Sequence, residues 1–281
     1  PNHNGVVCSR YLADMADQHD PSTALDLFRL NGLTAIVTGA SSGLGNRFAR
    51  VLHGVGANVV VTARRAERLE QLAGELNEQR PGPASALVVA ADVGIEADRE
   101  RIVSSSVEQF GRIDVLVNNA GVGAKVAIED EDIEVFRRAM EINVTALWHL
   151  AKLSAPSMTE SGGGAIINVA SMLGHVASSP VKQSHYSASK GAVVNLTREL
   201  AVQWARKGIR VNALCPGWFP SEMTEGMDTD EASQRFVKSN TPIPRMGEAH
   251  ELDGALLLLA GPAGTFLTGQ SLIVDGGWTA R

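Results

Sequence analysis

The apolar triplet Ala35-Ile36-Val37 runs directly into Thr38-Gly39-Ala40-Ser41-Ser42-Gly43-Leu44-Gly45, and an amphipathic stretch follows from Leu44 to Val55. A short apolar run, a glycine-rich turn and a helical period in that order describe a strand feeding a helix through a tight bend. The same alternation recurs down the chain. After the first strand, Thr34 to Val37, come valine-rich Asn58 to Thr62, Ala86 to Ala91, Val115-Leu116-Val117, Gly164 to Val169, Ile209 to Leu214 and Ser271 to Val274. Between them lie helical periods: Glu67, Leu69, Leu72 and Leu76, ended by Arg80-Pro81-Gly82-Pro83; about Glu96 to Phe110; a long helix over much of Asp132 to Met158; and one that carries Tyr186. This rhythm predicts an α/β fold, a single-domain Rossmann-like doubly wound sheet of about seven parallel strands with helices on both faces.

At 281 residues the chain suits one large domain better than two. Residues 1–29 are polar and mixed and read as an extension draped over the domain or a neighbour; residues 30–281 form the domain. Pro216 to Arg245 breaks the alternation at a length ordinary connections seldom reach, and reads as a substrate lid over about 216–245. A net charge of -6 argues against nucleic acid or an anionic membrane as partner. Cys8 and Cys215 are too few for a disulfide framework, no His/Cys spacing suggests a metal, and no apolar run has the length of a membrane span. The expectation is a soluble protein of the reducing cytoplasm, and a chain opening on Pro1 is expected to be processed or trimmed.

Gly39, Gly43 and Gly45 stand where the strand turns into the helix, which lets backbone N–H groups approach a pyrophosphate at the positive helix end. The spacing differs from G-x-G-x-x-G, and alone it reads equally as a tight turn. Asp92 and Asn118-Asn119-Ala120-Gly121, each closing a later strand, turn the reading towards a dinucleotide. After the second strand, where an acidic side chain would meet the ribose of NAD, the chain has Ala63-Arg64-Arg65. Arg64 therefore favours the 2'-phosphate of NADP(H), with Ser41 and Ser42 as further donors. The other reading is that both arginines open a solvated helix face.

Tyr186 and Lys190 lie four residues apart, about one helical turn, so an ammonium and a phenol share a face and the cation favours phenolate. A tyrosine of ordinary pKa about 10 could then exchange protons near neutrality. Ser171 closes Asn168-Val169-Ala170-Ser171 at the carboxyl edge of the sheet, where its hydroxyl could meet a reacting oxygen. A strand-end serine alone is a turn residue and a helix tyrosine alone is packing; together with Lys190 they point to hydride and proton exchange at a carbonyl.

In these motifs the chain resembles the short-chain dehydrogenase/reductases with a T-G-x-x-x-G-x-G turn. The likeness runs from about Leu27 to Arg281 and takes in Asp92, Asn118 to Gly121, Asn143, Ser171, Tyr186 with Lys190, Pro216-Gly217 and Val274-Asp275-Gly276-Gly277. The resemblance implies that Tyr186 is the general acid/base, that Ser171 steadies the oxygen, and that Lys190 lowers the tyrosine pKa and holds the nicotinamide ribose. Asn143 would hold a water linking Lys190 to solvent. The implied cofactor surface is Gly39, Ser41, Ser42, Gly43, Leu44, Gly45, Arg64, Asp92, Val93, Asn119, Ala120, Gly121, Tyr186, Lys190, Pro216 and Gly217, for NADP(H) in preference to NAD(H), with Asn118 pinning neighbouring strands.

By position the substrate would meet Ser171, Met172, Leu173, His175, Tyr186, Trp218, Phe219 and Met223, although Trp218 and Phe219 read equally as lid packing and His175 as a solvent-facing loop residue. Leu27-Phe28-Arg29-Leu30, Ala213 to Phe219 and Ser221-Glu222-Met223-Thr224 are similar to members acting on sugar acids such as keto-gluconates. A polyol or keto compound fits as well. The alternatives are a 3-oxoacyl-thioester reductase and, from another class, a non-catalytic dinucleotide-sensing protein. The family further implies a homotetramer or dimer, with the helices around Asp132 to Met158 and Ser184 to Lys207 as contacts.

Overall fold

A computed structural model describes residues 23–79, 84–227 and 229–281. The strands are β1 (Thr34–Thr38), β2 (Asn58–Ala63), β3 (Ala86–Ala90), β4 (Val115–Asn118), β5 (Gly164–Val169), β6 (Ile209–Pro216) and β7 (Ser271–Val274). They form a seven-stranded sheet in the order β3-β2-β1-β4-β5-β6-β7, each neighbouring pair parallel. The strand boundaries fall within two residues of those read from the sequence.

Strands this apolar need cover on both faces. Successive side chains point to opposite faces, so Ala35, Val37, Val59, Val61, Val115 and Val117 join one apolar cluster, while Ile36, Val60 and Leu116 join another. The first is covered by α1 (Gly43–Gly54), α2 (Ala66–Gln79) and α8 (Asp253–Ala260), which send in Phe48, Leu52, Leu69, Leu72, Leu76, Leu256 and Leu259. On the other face lie α3 (Glu96–Phe110), α5 (Ala146–Glu160) and α6 (Ser184–Trp204), through Ile102, Leu150, Met158 and Leu200.

The helix expected over Asp132 to Met158 is three helical pieces run together: α4 (Ile133–Met140), a π-turn at Glu141–Thr145, and α5. A π-turn admits one extra residue per turn and is a frequent device at functional sites; here it contains Asn143. Helix α8, Asp253-Gly254-Ala255-Leu256-Leu257-Leu258-Leu259-Ala260, is apolar nearly all round and so shows no polar period by which a helix could be recognised. Within the lid segment, a 3-10 turn (Glu222–Thr224) is followed by α7 (Glu231–Asn240), whose first turn is capped by the Asp230 carboxylate accepting from the Ser233 amide at 2.7 Å. Of the extension, residues 24–28 form a 3-10 turn; residues 1–22 with Cys8, and Arg80-Pro81-Gly82-Pro83, lie outside the described residues. Among the described residues no helix is long and apolar enough to cross a membrane.

The amino end of the sheet is pinned by Asp114, 6% exposed. Its carboxylate accepts the Thr34 amide at 2.8 Å and the Arg112 guanidinium at 2.6–3.0 Å, tying β1 to the residue before β4. Asp114→Ala leaves the Thr34 N–H without its acceptor and should lower the unfolding free energy by about 2 kcal/mol, read as an earlier urea midpoint at unchanged slope.

Candidate active site

Between β1 and β4 the strand order reverses, and ligands of such sheets bind beyond the carboxyl ends of the strands at this point. The two strand ends are joined there by polar contacts. Thr38 Oγ1 accepts the amides of Asn119 and Ala120, each at 2.9 Å, and the Asn119 side-chain amide donates to the Thr38 carbonyl at 2.9 Å. Gly39 takes φ +69°, and a Cβ on Gly45 would lie 2.3 Å from the Gly39 carbonyl oxygen. Only glycine at both positions lets the turn lie this close to Asn119. The first amides of α1 thereby face an open cleft of about 1580 Å3, solvent at its mouth included.

That cleft is lined by every candidate site residue named above except Asn143 and His175. At the corner of the cleft beside the glycine turn stands a cluster of one guanidinium and two hydroxyls. Arg65 donates to Ser41 Oγ from Nε at 3.1 Å and from Nη2 at 2.8 Å, and to Ser42 Oγ at 2.9 Å. Arg64 lines the cleft as well, while the two serines take their hydrogen bonds from Arg65. The backbone bends at Arg64, and Arg65, directly before α2, is the side chain that returns over the glycine turn. Asp92 accepts the Gly94 amide at 2.9 Å, and Arg138 of α4 approaches it at 3.6 Å. Arg65, Arg138, Lys125 and Glu222 line the cleft as well, and no spacing rule in the sequence singles them out.

At the other end α6 presents Tyr186 and Lys190. Lys190 Nζ stands 5.5 Å from the centroid of the Tyr186 ring and donates to the Val169 carbonyl at 2.7 Å. Ser171, 7% exposed, caps the 3-10 turn Met172–Gly174 by accepting the Leu173 amide at 3.1 Å. Asn143, projected by the π-turn, exchanges two hydrogen bonds with the Val122 backbone, at 2.8 and 2.9 Å, and donates to Ser189 Oγ at 2.9 Å. It braces the loop after β4 against α6 rather than facing the cleft directly. Asn118 donates to Asn168 Oδ1 at 3.0 Å, pinning β4 to β5.

Burial governs the two titratable groups. It pushes the Tyr186 phenol up to about 12, against the Ser171 hydroxyl, which pulls it down, and with a smaller upward push from Cys215. Burial lowers Lys190 to about 8, with Cys215 opposing. The Lys190 ammonium is bonded to a carbonyl, and desolvation of the hydroxyl is the largest influence on the phenol.

Of the substrate candidates, Met172, Leu173, Trp218, Phe219 and Met223 line the cleft. His175 does not: the 3-10 turn carries it past the cleft, where its Nε2 lies 3.6 Å from Cys215 Sγ. Trp218 and Phe219 pack against neighbouring side chains and line the cleft at once. Trp218 meets Phe236 and Trp278 edge-on at 6.1 and 5.7 Å, and its indole N–H is buried without a hydrogen-bond partner among the described residues. Phe219 is 5% exposed and belongs to the core.

The loop entering the site is strapped to the start of α6. His185 Nε2 accepts the Ala124 amide at 3.0 Å, which places the proton on Nδ1, against the Glu131 carboxylate; Ser184 donates to the same carboxylate, and the Val126 amide donates to Lys182 O at 2.9 Å. Both His185 and Glu131 side chains are buried, at 1% and 5%.

A doubly wound sheet with a glycine cradle, a half-buried Tyr186 and buried Lys190 and Ser171 at its switch point defines a Rossmann-like nucleotide-binding protein. Residues 39–279 match the family model described as Enoyl-(Acyl carrier protein) reductase. The chain is 38% identical over 254 residues to galactitol 2-dehydrogenase (L-tagatose-forming) of Cereibacter sphaeroides, covering 90% of this chain and 97% of that one. Two solved structures superpose well: a gluconate 5-dehydrogenase from Burkholderia cenocepacia in complex with NADP and tartrate (TM-score 0.87, 34% identity, 92% and 100% of the two chains), and a 7α-hydroxysteroid dehydrogenase complexed with NADH and 7-oxo glycochenodeoxycholic acid (TM-score 0.85, 32% identity, 91% and 97%). The protein belongs to the short-chain dehydrogenase/reductases, oxidoreductases of alcohols and carbonyl compounds.

Because the His185 imidazole and the Glu131 carboxylate are desolvated together, Glu131→Ala should lower stability by about 3 kcal/mol. Adding His185→Leu should recover part of the loss, as measured by chemical unfolding of the single and double variants.

Proposed function

We propose that this protein is an NADP(H)-preferring dehydrogenase that interconverts a secondary alcohol and a ketone on a small oxygen-rich substrate, a sugar acid or polyol. The observation that carries the reading is the convergence of the Tyr186 phenol, the Lys190 amine and the Ser171 hydroxyl on the cleft that begins at the glycine turn. The turn fits a dinucleotide, since Cβ atoms at Gly39 and Gly45 would fill the close approach to Asn119. Gly39, Gly43 and Gly45 with Leu44 would hold the pyrophosphate, Arg65 with Ser41 and Ser42 the 2'-phosphate, and Asp92 with Val93 the adenine. Lys190 would hold the nicotinamide ribose, and Asn119, Ala120, Gly121, Pro216 and Gly217 would border the rest. When bound, the nicotinamide supplies or takes up the hydride.

The chain supplies the proton and the electrostatics. In reduction Tyr186 donates its phenolic proton to the carbonyl oxygen, and the Ser171 hydroxyl donates to that oxygen as negative charge develops on it. The Lys190 ammonium stabilises the phenolate left behind, and oxidation runs the same transfers in reverse. Arg65 supports NADP(H), because its guanidinium matches a phosphate bidentately, which an uncharged ribose hydroxyl cannot exploit. Lys125 and the unpartnered Trp218 N–H support an anionic or hydroxyl-rich substrate. The apolar side chains of Met172 and Leu173 support a second reading, a 3-oxoacyl-thioester reductase. The single-domain division at residue 30, with a lid over about 216–245, and a homodimer or homotetramer belong to the same proposal; exposed Ile133, Phe136, Trp148 and Val202 on α4, α5 and α6 support such an assembly.

A panel of keto acids, ketoses and 3-oxoacyl thioesters with NADPH and NADH separates the readings, and no turnover of any carbonyl by folded protein overturns them all. Tyr186→Phe should lower kcat about 1000-fold while NADPH binding changes less than about two-fold; undiminished turnover would remove Tyr186 from the mechanism. Arg65→Ala should raise the KM for NADPH about ten-fold and leave that for NADH nearly unchanged, as read from initial rates with each cofactor.

A further inference from the structure

The cation assigned to the 2'-phosphate already holds an anion. Arg65 Nη1 donates to Glu222 Oε1 at 2.5 Å and Nη2 to Oε2 at 3.2 Å, a two-pronged pairing, and Arg68 Nη1 adds a third contact at 3.3 Å. Glu222 comes from the lid, 157 residues away in sequence. Arg65 thus uses one side of its guanidinium on Ser41 and Ser42 and presents the other to the carboxylate. The two sides differ in rigidity: Ser41 is 8% exposed on the glycine turn, whereas the Glu222 side chain is 53% exposed and opens a 3-10 turn on the lid.

We infer that Glu222 sets how strongly this protein favours a 2'-phosphorylated nucleotide, by competing with that phosphate for Arg65. The inference rests on the reading above that the Arg65 corner takes the adenosine end of NADP(H). A carboxylate and a phosphate both seek the paired N–H groups of a guanidinium. A phosphate bearing roughly two negative charges cannot share one guanidinium with a carboxylate at low cost. Glu222 must leave when the phosphate arrives, and its exposure lets it return to water with little desolvation. The uncharged 2'-hydroxyl of NAD(H) makes no such demand, so the lid stays tethered to Arg65 through Glu222. Cofactor choice and lid attachment are then one equilibrium: the phosphorylated nucleotide exchanges the lid's anion for its own, and the other nucleotide leaves it in place. Glu222→Gln removes the charge and keeps the side chain's size.

Calorimetric titration of the full chain with 2',5'-ADP and 5'-AMP isolates the phosphate. Glu222→Gln should bind 2',5'-ADP about three- to five-fold more tightly than the original protein, with 5'-AMP changed less than about two-fold. The gain should vanish when Arg65→Ala is added. Unchanged or weaker 2',5'-ADP binding by Glu222→Gln, while Arg65→Ala alone still weakens it, overturns the competition and leaves the NADP(H) reading standing. Equal affinity for the two nucleotides in the original protein and in Arg65→Ala overturns that reading and the competition with it.

Discussion

A β-carbon on Gly45 would fall 2.3 Å from the carbonyl oxygen of Gly39 and 2.5 Å from Nδ2 of Asn119. No side chain survives that distance, so the turn between β1 and α1 is pressed against the end of β4 by the absence of atoms rather than by a bond. Everything in the cleft is referred to this contact. It brings the first amides of α1 beside the loop after β4. It also lets Asn119 and Thr38 satisfy one another's backbone groups, which would otherwise be stranded at a buried strand end. The cleft thus starts at the backbone of the glycine turn and ends at side chains from α6 and from Ser171, two residues beyond β5. The sheet between them fixes the separation.

The frame was legible because the strands are short, valine-rich and bounded by turn residues, and because parallel strands buried on both faces need no alternation to be recognised. The two-face reading follows from particular side chains: Ile36 goes to one cluster and its neighbours Ala35 and Val37 to the other. The grouping of Tyr186, Lys190 and Ser171 was legible for a related reason, since the first two are one helical turn apart and Ser171 lies two residues beyond β5. Local spacing suffices to bring those groups to one edge of the sheet.

Position within a bend was not legible. Arg64 and Arg65 are adjacent and chemically identical, and only the backbone bend at residue 64 decides which one covers Ser41 and Ser42. His175 was placed with the substrate by its nearness to Ser171 in sequence, but one 3-10 turn redirects it to Cys215. The π-turn holding Asn143 is likewise invisible in a periodic pattern, because an extra residue in a long amphipathic run only blurs its phase. Glu222 shows the largest gap: its partner lies on the far side of the sequence, and pairing at such range is a property of the folded chain alone.

Burial acts on the phenol and the amine in opposite directions, and both results favour uncharged groups. Tyr186 is raised from 10.0 to about 12 and Lys190 lowered from 10.5 to about 8. For Lys190 the folded chain binds the proton less well than the unfolded one, so its penalty is full below pH 8 and relieved as pH rises from about 8 to 10.5. Tyr186 has the reverse sign: stability is lost as pH rises from 10.0 to about 12. At neutral pH the fold therefore holds the phenol protonated, the form that donates, beside an amine that still carries its charge. Lys190, on the same helix face, donates to Val169 O at 2.7 Å and stands 5.5 Å from the centroid of the phenol ring. The strap of His185 and Glu131 and the Asn143 brace hold α6, and with it Tyr186 and Lys190, against the loop after β4.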